Sequence, residues 1–206
     1  MQAITDLIMY FHKGGLVMWP LLACSITVIA IAIERFIYYK SVDSGAAFAS
    51  RYCAAVRSGD FAVATELARK GSGQCAQMLA DVEAVAGGKA EKSAFFESRA
   101  GIFMATLRDK LDYLGIIVTM SPLLGLLGTI VGMIGAFSIF NVEAGAPMAI
   151  TGGIGEALIA TATGLCVAIL SLCAHSYFAH RMDNMITDME QCFSALLEAE
   201  TRRARS

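Results

Sequence analysis

The chain has 206 residues, of which 56% are hydrophobic and 17% are charged, and its formal net charge is −2 at pH 7. Soluble domains carry about 25% charged residues, so this composition excludes an ordinary soluble protein and indicates a membrane protein. No basic patch or nucleic-acid motif occurs, and the six cysteines lack metal-ligand spacing. We therefore expect no nucleic-acid partner, no metal and no cofactor.

Three apolar blocks contain most of the hydrophobic residues, at roughly 16–39, 113–140 and 149–177. Each is longer than the about 20 residues of helix that cross a bilayer. We predict an all-α membrane protein with transmembrane helices at 14–39, 113–140 and 149–177 and with long helical extensions outside the membrane.

Basic residues are distributed unevenly around these blocks. Of sixteen Lys and Arg, one precedes the first block, eleven lie from Arg35 to Lys110, none separates the second and third blocks, and four follow the third. The positive-inside rule therefore predicts that residues 40–112 and 178–206 are cytoplasmic, and that the N-terminus and the short loop 141–148 lie outside.

The segments outside the membrane also have helical patterns. Residues 1–13 have apolar side chains at helical spacing, which predicts an amphipathic segment on the outer surface. In the long loop, the stretch Ser58-Gly59-Asp60 is predicted to supply an N-cap, and a helix from about Glu91 is predicted to continue into the second span. The C-terminal segment has an apolar stripe and a basic tail, Arg202, Arg203 and Arg205. The stripe contains Met182, Met185, Ile186, Met189, Phe193, Leu196 and Leu197.

Glycines line one face of the second span. Gly125, Gly128, Gly132 and Gly135 are spaced by three, four and three residues. Small residues at such spacing let helices approach closely in lipid, so we assign these glycines to helix packing. Gly164, among the small residues of the third span, is assigned to the same packing.

Glu156 is the carboxylate inside the third apolar block. A charge in hydrocarbon costs about 3 kcal/mol or more, and neither of the last two spans has a Lys, Arg or His at this depth. Glu156 must therefore be protonated, hydrated or paired with another chain, which favours a functional role.

Three threonines accompany Glu156 as candidates for an ion pathway: Thr129, Thr161 and Thr163. On a regular helix Glu156 and Thr163 share a face, whereas Thr161 points about 140° away. A threonine in a membrane helix often only bonds its own backbone, so a structural role for these residues stays open.

Two segments, GLLGTIVGMIGAF and GIGEALIATATGL, resemble the signature segments of the MotA/TolQ/ExbB proton-channel family. The stretch WPLLACSITVIAIAIERF resembles that family's first span, and the three-span pattern is similar to the ExbB/TolQ branch. The resemblance covers nearly the whole chain.

The resemblance implies a multi-pass protein of the bacterial inner membrane, with a periplasmic N-terminus and a cytoplasmic C-terminus. It implies a ring, typically a pentamer, around a small single-span ExbD- or TolR-like partner that carries a membrane aspartate. A TonB- or TolA-like protein and membrane lipids are further expected partners. Residues matching Thr129, Glu156 and Thr161 line the family's proton path, and proton flow drives an envelope process.

Other functions are expected to fit less well. The first alternative is a non-conducting assembly scaffold in which Glu156 only makes an intersubunit ion pair. A small-solute transporter is disfavoured because inverted repeats are absent from the sequence. An enzyme is least expected, because the sequence has no nucleophile–base pair or metal cluster.

Overall fold

The computed structural model describes residue 11 and residues 14–142 and 147–203, with side chains described outside 139–142, 147–150 and 203. Most of the predicted amphipathic segment 1–13, the centre of the predicted loop 141–148 and Arg205 of the basic tail lie outside the described residues.

The described ranges are built from α-helices. They are α1 Met18–Val42, α2 Ala46–Ser58, α3 Phe61–Lys70, α4 Gln74–Ala84, α5 Lys89–Arg108, α6 Leu111–Val142 and α7 Pro147–Arg203. The prediction of an all-α protein is confirmed over these residues.

Three of these helices, α1, α6 and α7, contain stretches that are long and apolar enough to cross a membrane. Many of their large apolar side chains are more than half exposed, including Trp19 on α1, Leu123 on α6 and Leu158 on α7. Such surfaces need lipid or another chain to cover them. The prediction of three membrane-spanning helices is therefore supported by both length and exposure.

The chain divides into two compact units. The first contains residues 1–33 and 110–176, and therefore the apolar parts of α1, α6 and α7. The second contains residues 34–109 and 177–206, including α2 to α5.

In the first unit, α6 and α7 pack closely at small residues. A Cβ atom added to Gly128 would lie 2.5 Å from Cβ of Ala160, and one added to Gly132 would lie 3.1 Å from the Gly153 carbonyl oxygen. A side chain at 128 would collide with α7, and one at 132 would be tightly crowded by it. The glycine face of α6 therefore packs against α7 of the same chain.

The contact continues along both helices but does not include every glycine. A Cβ atom on Gly164 would lie 2.6 Å from the Ser121 carbonyl oxygen and 3.1 Å from Cα of Gly125. By contrast, nothing lies within 4 Å of a Cβ atom placed on Gly135. Gly135 therefore has no packing partner among the described residues of this chain.

The second unit has an apolar core of its own. Tyr52, Met78, Leu79 and Val82 are almost fully buried, and the rings of Phe96 and Phe193 stack with centroids 3.8 Å apart. Five members of the predicted C-terminal stripe are buried: Met182, Met185, Met189, Phe193 and Leu196. The stripe therefore packs within this unit.

The predicted cap of α3 is confirmed. The Val63 backbone N–H donates to the Asp60 carboxylate at 3.2 Å, which satisfies one of the free donors at the start of the helix.

The prediction of one continuous helix from about Glu91 into the second span is wrong at Asp109 and Lys110. Asp109 has an extended ψ of 137° and Lys110 a φ of 66°, so α5 ends at Arg108 and α6 begins at Leu111.

Within the second unit, the buried Arg35 guanidinium donates to the Thr106 carbonyl at 2.9 Å and pairs with Asp109 at 3.2 Å. A cation therefore lies at the C-terminal end of α5, where free carbonyls favour positive charge.

Helix α7 joins two predicted segments. It continues from the predicted third span, 149–177, into the predicted C-terminal segment, 178–206, as far as residue 203. No glycine or proline occurs between 165 and 203, so the sequence has no strong helix breaker there.

We predict that Gly164→Ala lowers the melting temperature of the detergent-solubilised protein and that Gly135→Ala does not. Alanine raises helix propensity at both positions by about 1 kcal/mol, but at 164 its methyl group must displace backbone, which costs about 1–3 kcal/mol. Melting can be followed by fluorescence-detected size-exclusion chromatography. Equal melting temperatures for the two variants would show that α6 and α7 have room between their backbones.

Candidate functional site

Glu156 lies on α7 in the first unit, half-buried, against the turn that precedes α1. A Cβ atom added to Gly15 would overlap Oε1 of Glu156 and lie 2.9 Å from its Cδ. Gly15 has a φ of 72°, in the left-handed region that glycine adopts readily. The Glu156 carboxylate thus packs directly against the backbone of Gly15.

Contacts along α7 show how far along the helices this site lies. A Cβ atom on Gly14 would lie 3.3 Å from Cγ2 of Ile159, and one on Gly128 would lie next to Ala160 and 3.7 Å from Cβ of Val17. Residues 14–17, Glu156 and the part of α6 around Thr129 therefore lie beside one another, at a similar height along the axis of α7. Since α1 begins at Met18, the site lies close to the N-terminal end of the first apolar helix.

Thr161 links the two tightly packed helices. Its hydroxyl donates to the Gly125 carbonyl of α6 at 3.1 Å. Thr161 is five residues after Glu156, so on a regular helix it points to a different side of α7. The two side chains accordingly contact different elements: Glu156 faces the turn before α1 and Thr161 faces α6.

The other two threonines bond within their own helices. Thr129 donates to the Leu126 carbonyl at 2.7 Å, and Thr163 donates to the Ile159 carbonyl at 2.8 Å. The hydroxyl protons of Thr129, Thr161 and Thr163 are all donated to backbone carbonyls, so none is donated to Glu156. The pathway role of these residues and of Glu156 stays a prediction.

Glu156 is the acidic side chain at this site. Among the described residues it makes no ion pair, and no group of three His, Cys, Asp or Glu side chains could hold a metal ion. A carboxyl group can bind and release a proton, whereas a threonine hydroxyl can only orient or relay a hydrogen bond near neutral pH. Of the four predicted pathway residues, Glu156 is therefore the one with an acidic side chain.

Sequence reasoning missed Gly14 and Gly15, although a glycine pair directly before an apolar block was a signal of a tight turn. It also missed Ser121, whose hydroxyl is fully buried and has no hydrogen-bond partner in the described part of the chain. Nothing in the sequence pattern distinguished Ser121 from the other small residues of the second span.

A comparison with known families matches residues 75–191 to the MotA/TolQ/ExbB proton channel family. The matched range is more than half of the chain and includes Thr129, Glu156 and Thr161.

Individual relatives come from several organisms. An ExbB-like 1 biopolymer transport protein of Synechocystis is 34% identical over 170 residues, covering 79% of this chain and 66% of the relative. Biopolymer transport protein exbB1 of Vibrio cholerae is 27% identical over 183 residues, covering 85% and 80%. The Tol-Pal system protein TolQ of Pseudomonas aeruginosa is 36% identical over 81 residues, covering 39% and 35%.

The chain therefore spans about two thirds of the length of its Synechocystis relative. Together, the family match, the three apolar helices and these relatives show that the chain belongs to the MotA/TolQ/ExbB proton channel family, in its ExbB/TolQ branch.

Proposed function

We propose that this chain is a subunit of a proton-driven motor in the bacterial inner membrane. The observation that carries the proposal is Glu156, a half-buried carboxylate that makes no ion pair among the described residues. It lies on an apolar helix, inside the stretch that matches the family. Such a residue in a membrane helix usually faces an ion path or a protein interior.

The relay is completed by a second protein. Glu156 and Thr161 face different elements, and no donated hydrogen bond joins them among the described residues, which supports a path that needs a second chain. A small single-span ExbD- or TolR-like partner with a membrane aspartate supplies the missing acid. Thr129, Thr161 and Thr163 keep acceptor capacity on their hydroxyl oxygens and line the same path.

The subunit works in a closed ring. Neighbouring subunits can cover part of the exposed apolar surfaces of α1, α6 and α7, and a lone carboxylate needs a protein or water environment. A pentamer around the partner helix provides that environment. The N-terminus is periplasmic and the C-terminus cytoplasmic, as the distribution of basic residues favours.

Proton flow through the ring drives an envelope process. The names of the relatives indicate two classes, biopolymer transport and the Tol-Pal system. A TonB- or TolA-like protein would transmit the work in either case.

Replacing the titratable group tests the proposal directly. We predict that Glu156→Gln lowers proton uptake by about tenfold or more, because glutamine keeps the shape but cannot exchange a proton. Uptake is measured with an internal pH-sensitive fluorophore in cells that express the chain with its single-span partner. Complex abundance is measured in parallel, and Glu198→Gln, on the exposed C-terminal part of α7, is the control.

The scaffold alternative gives the opposite pattern. If Glu156 only makes an intersubunit ion pair, Glu156→Gln reduces the amount of complex. Wild-type uptake at wild-type abundance would remove Glu156 from the proton path.

The two hydroxyls on α7 provide a second comparison. We predict that Thr161→Val lowers proton uptake by about fivefold, which corresponds to the about 1 kcal/mol of one lost hydrogen bond, and that Thr163→Val has a smaller effect. The reason is that Thr161 bonds across to α6, whereas Thr163 bonds its own helix. A larger loss from Thr163→Val would mean that the path follows the α7 face shared with Glu156.

We also predict that the purified chain is a closed ring. Native mass spectrometry in detergent should give a multiple of 21.9 kDa, with five copies expected. A spectrum that contains monomer alone would contradict the ring.

A further inference from the structure

We infer that Gly15 is a positioning residue for Glu156: the bare backbone at this position fixes where the carboxylate lies. The inference rests on the proposed proton-exchange role of Glu156 for its functional consequence, but the position of the carboxylate can be measured by itself.

The first argument is steric. The space that a Cβ atom of residue 15 would occupy is filled by Oε1 of Glu156, with Cδ 2.9 Å away and Cγ 3.4 Å away. Real Cβ contacts are not found below about 3 Å, so alanine at this position would force the carboxylate to move. Glycine is therefore required for the observed carboxylate position, in addition to its suitability for a φ of 72°.

The second argument is that the turn cannot easily move away. The Gly14 N–H donates to the Phe11 carbonyl at 3.3 Å, and the Met18 N–H donates to the Gly15 carbonyl at 3.2 Å. On the apolar side, Val17, Met18 and Leu21 form a buried cluster. Because Gly15 is held at both ends, a clash would move the side chain of Glu156 more readily than the backbone of the turn.

The third argument concerns the part of Glu156 that the turn does not cover. Glu156 is half-buried, so the turn covers part of this residue while another part stays accessible. A proton donor, either water or a partner's acid, must approach within hydrogen-bond distance of that accessible part. A displaced carboxylate would present a different edge, and proton exchange would slow even though the carboxyl group itself is unchanged.

The test compares Gly15→Ala with Gly59→Ala. Gly59 also has a positive φ, 81°, but nothing lies within 4 Å of a Cβ atom placed there. The two substitutions therefore impose similar backbone strain, of about 1 kcal/mol, and only Gly15→Ala also collides with Glu156. Both variants are expressed as the full chain together with the single-span partner.

The direct readout is the rate at which a hydrophobic carbodiimide labels Glu156, measured by mass spectrometry of the intact complex. We expect Gly15→Ala to change this rate by about threefold or more, because a displaced carboxyl group is exposed to the reagent to a different extent. Gly59→Ala should label at the wild-type rate. Equal labelling of wild type and Gly15→Ala would overturn the inference.

Rescue by a shorter acid provides the second readout. Aspartate at position 156 withdraws the carboxylate by one methylene and makes room for the new methyl group. We expect Gly15→Ala with Glu156→Asp to take up protons faster than Gly15→Ala alone, although Glu156→Asp alone is slower than wild type. A double variant no faster than Gly15→Ala would contradict steric displacement as the cause.

The two readouts separate this inference from the proposed function. If the wild-type complex conducts no protons but Gly15→Ala changes the labelling rate, the proton-channel role fails and the positioning role stands. If wild type conducts and Glu156→Gln does not, while Gly15→Ala labels and conducts like wild type, the proposed function stands and the positioning role fails.

Discussion

The close contact between α6 and α7 is the constraint on which the first unit depends. Apolar side chains gain little by leaving lipid for a protein surface, so helices in a membrane associate through tight packing and hydrogen bonds. Here the backbones approach closely: Gly164 lies against the backbone of Ser121 and Gly125, and Gly128 lies against Cβ of Ala160. The same proximity brings the Gly125 carbonyl within reach of the Thr161 hydroxyl. The hydrogen bond between Thr161 and Gly125 thus forms because the surrounding residues are small.

Helix α7 has contacts on more than one side within the chain, and these contacts determine which of its surfaces is left for lipid or another subunit. One side contacts α6 through small residues, and another carries Glu156 against the turn before α1. A further side, with Ile154, Leu158 and Leu165 at helical spacing, is exposed. Because the first two sides are occupied within the chain, the exposed apolar side is the surface that α7 offers to lipid or to a neighbouring subunit.

Patterns with a strong period were predictable from the sequence, and contacts between distant segments were not. The three apolar helices, the Asp60 cap and the buried stripe around Met189 follow from composition, capping chemistry and helical spacing. The interruption at Lys110 was missed because no glycine or proline marks it; the break instead follows from local backbone geometry. The contact of Gly15 with Glu156 joins residues that are far apart in the sequence, and no local pattern encodes which glycine meets which acid.

Arg35, which is buried, and Glu156, which is half-buried, differ in how many partners compensate for their removal from water. The Arg35 guanidinium, in the second unit, has three partners: Glu34, Asp109 and the Thr106 carbonyl. Those contacts compensate for its removal from water, so Arg35 is explained as a structural charge. Glu156 has no such set among the described residues, and an uncharged side chain of similar size would pack in its place without a desolvation penalty. Arg35 is therefore explained by its partners within the chain, whereas no partner among the described residues explains a charged group at Glu156.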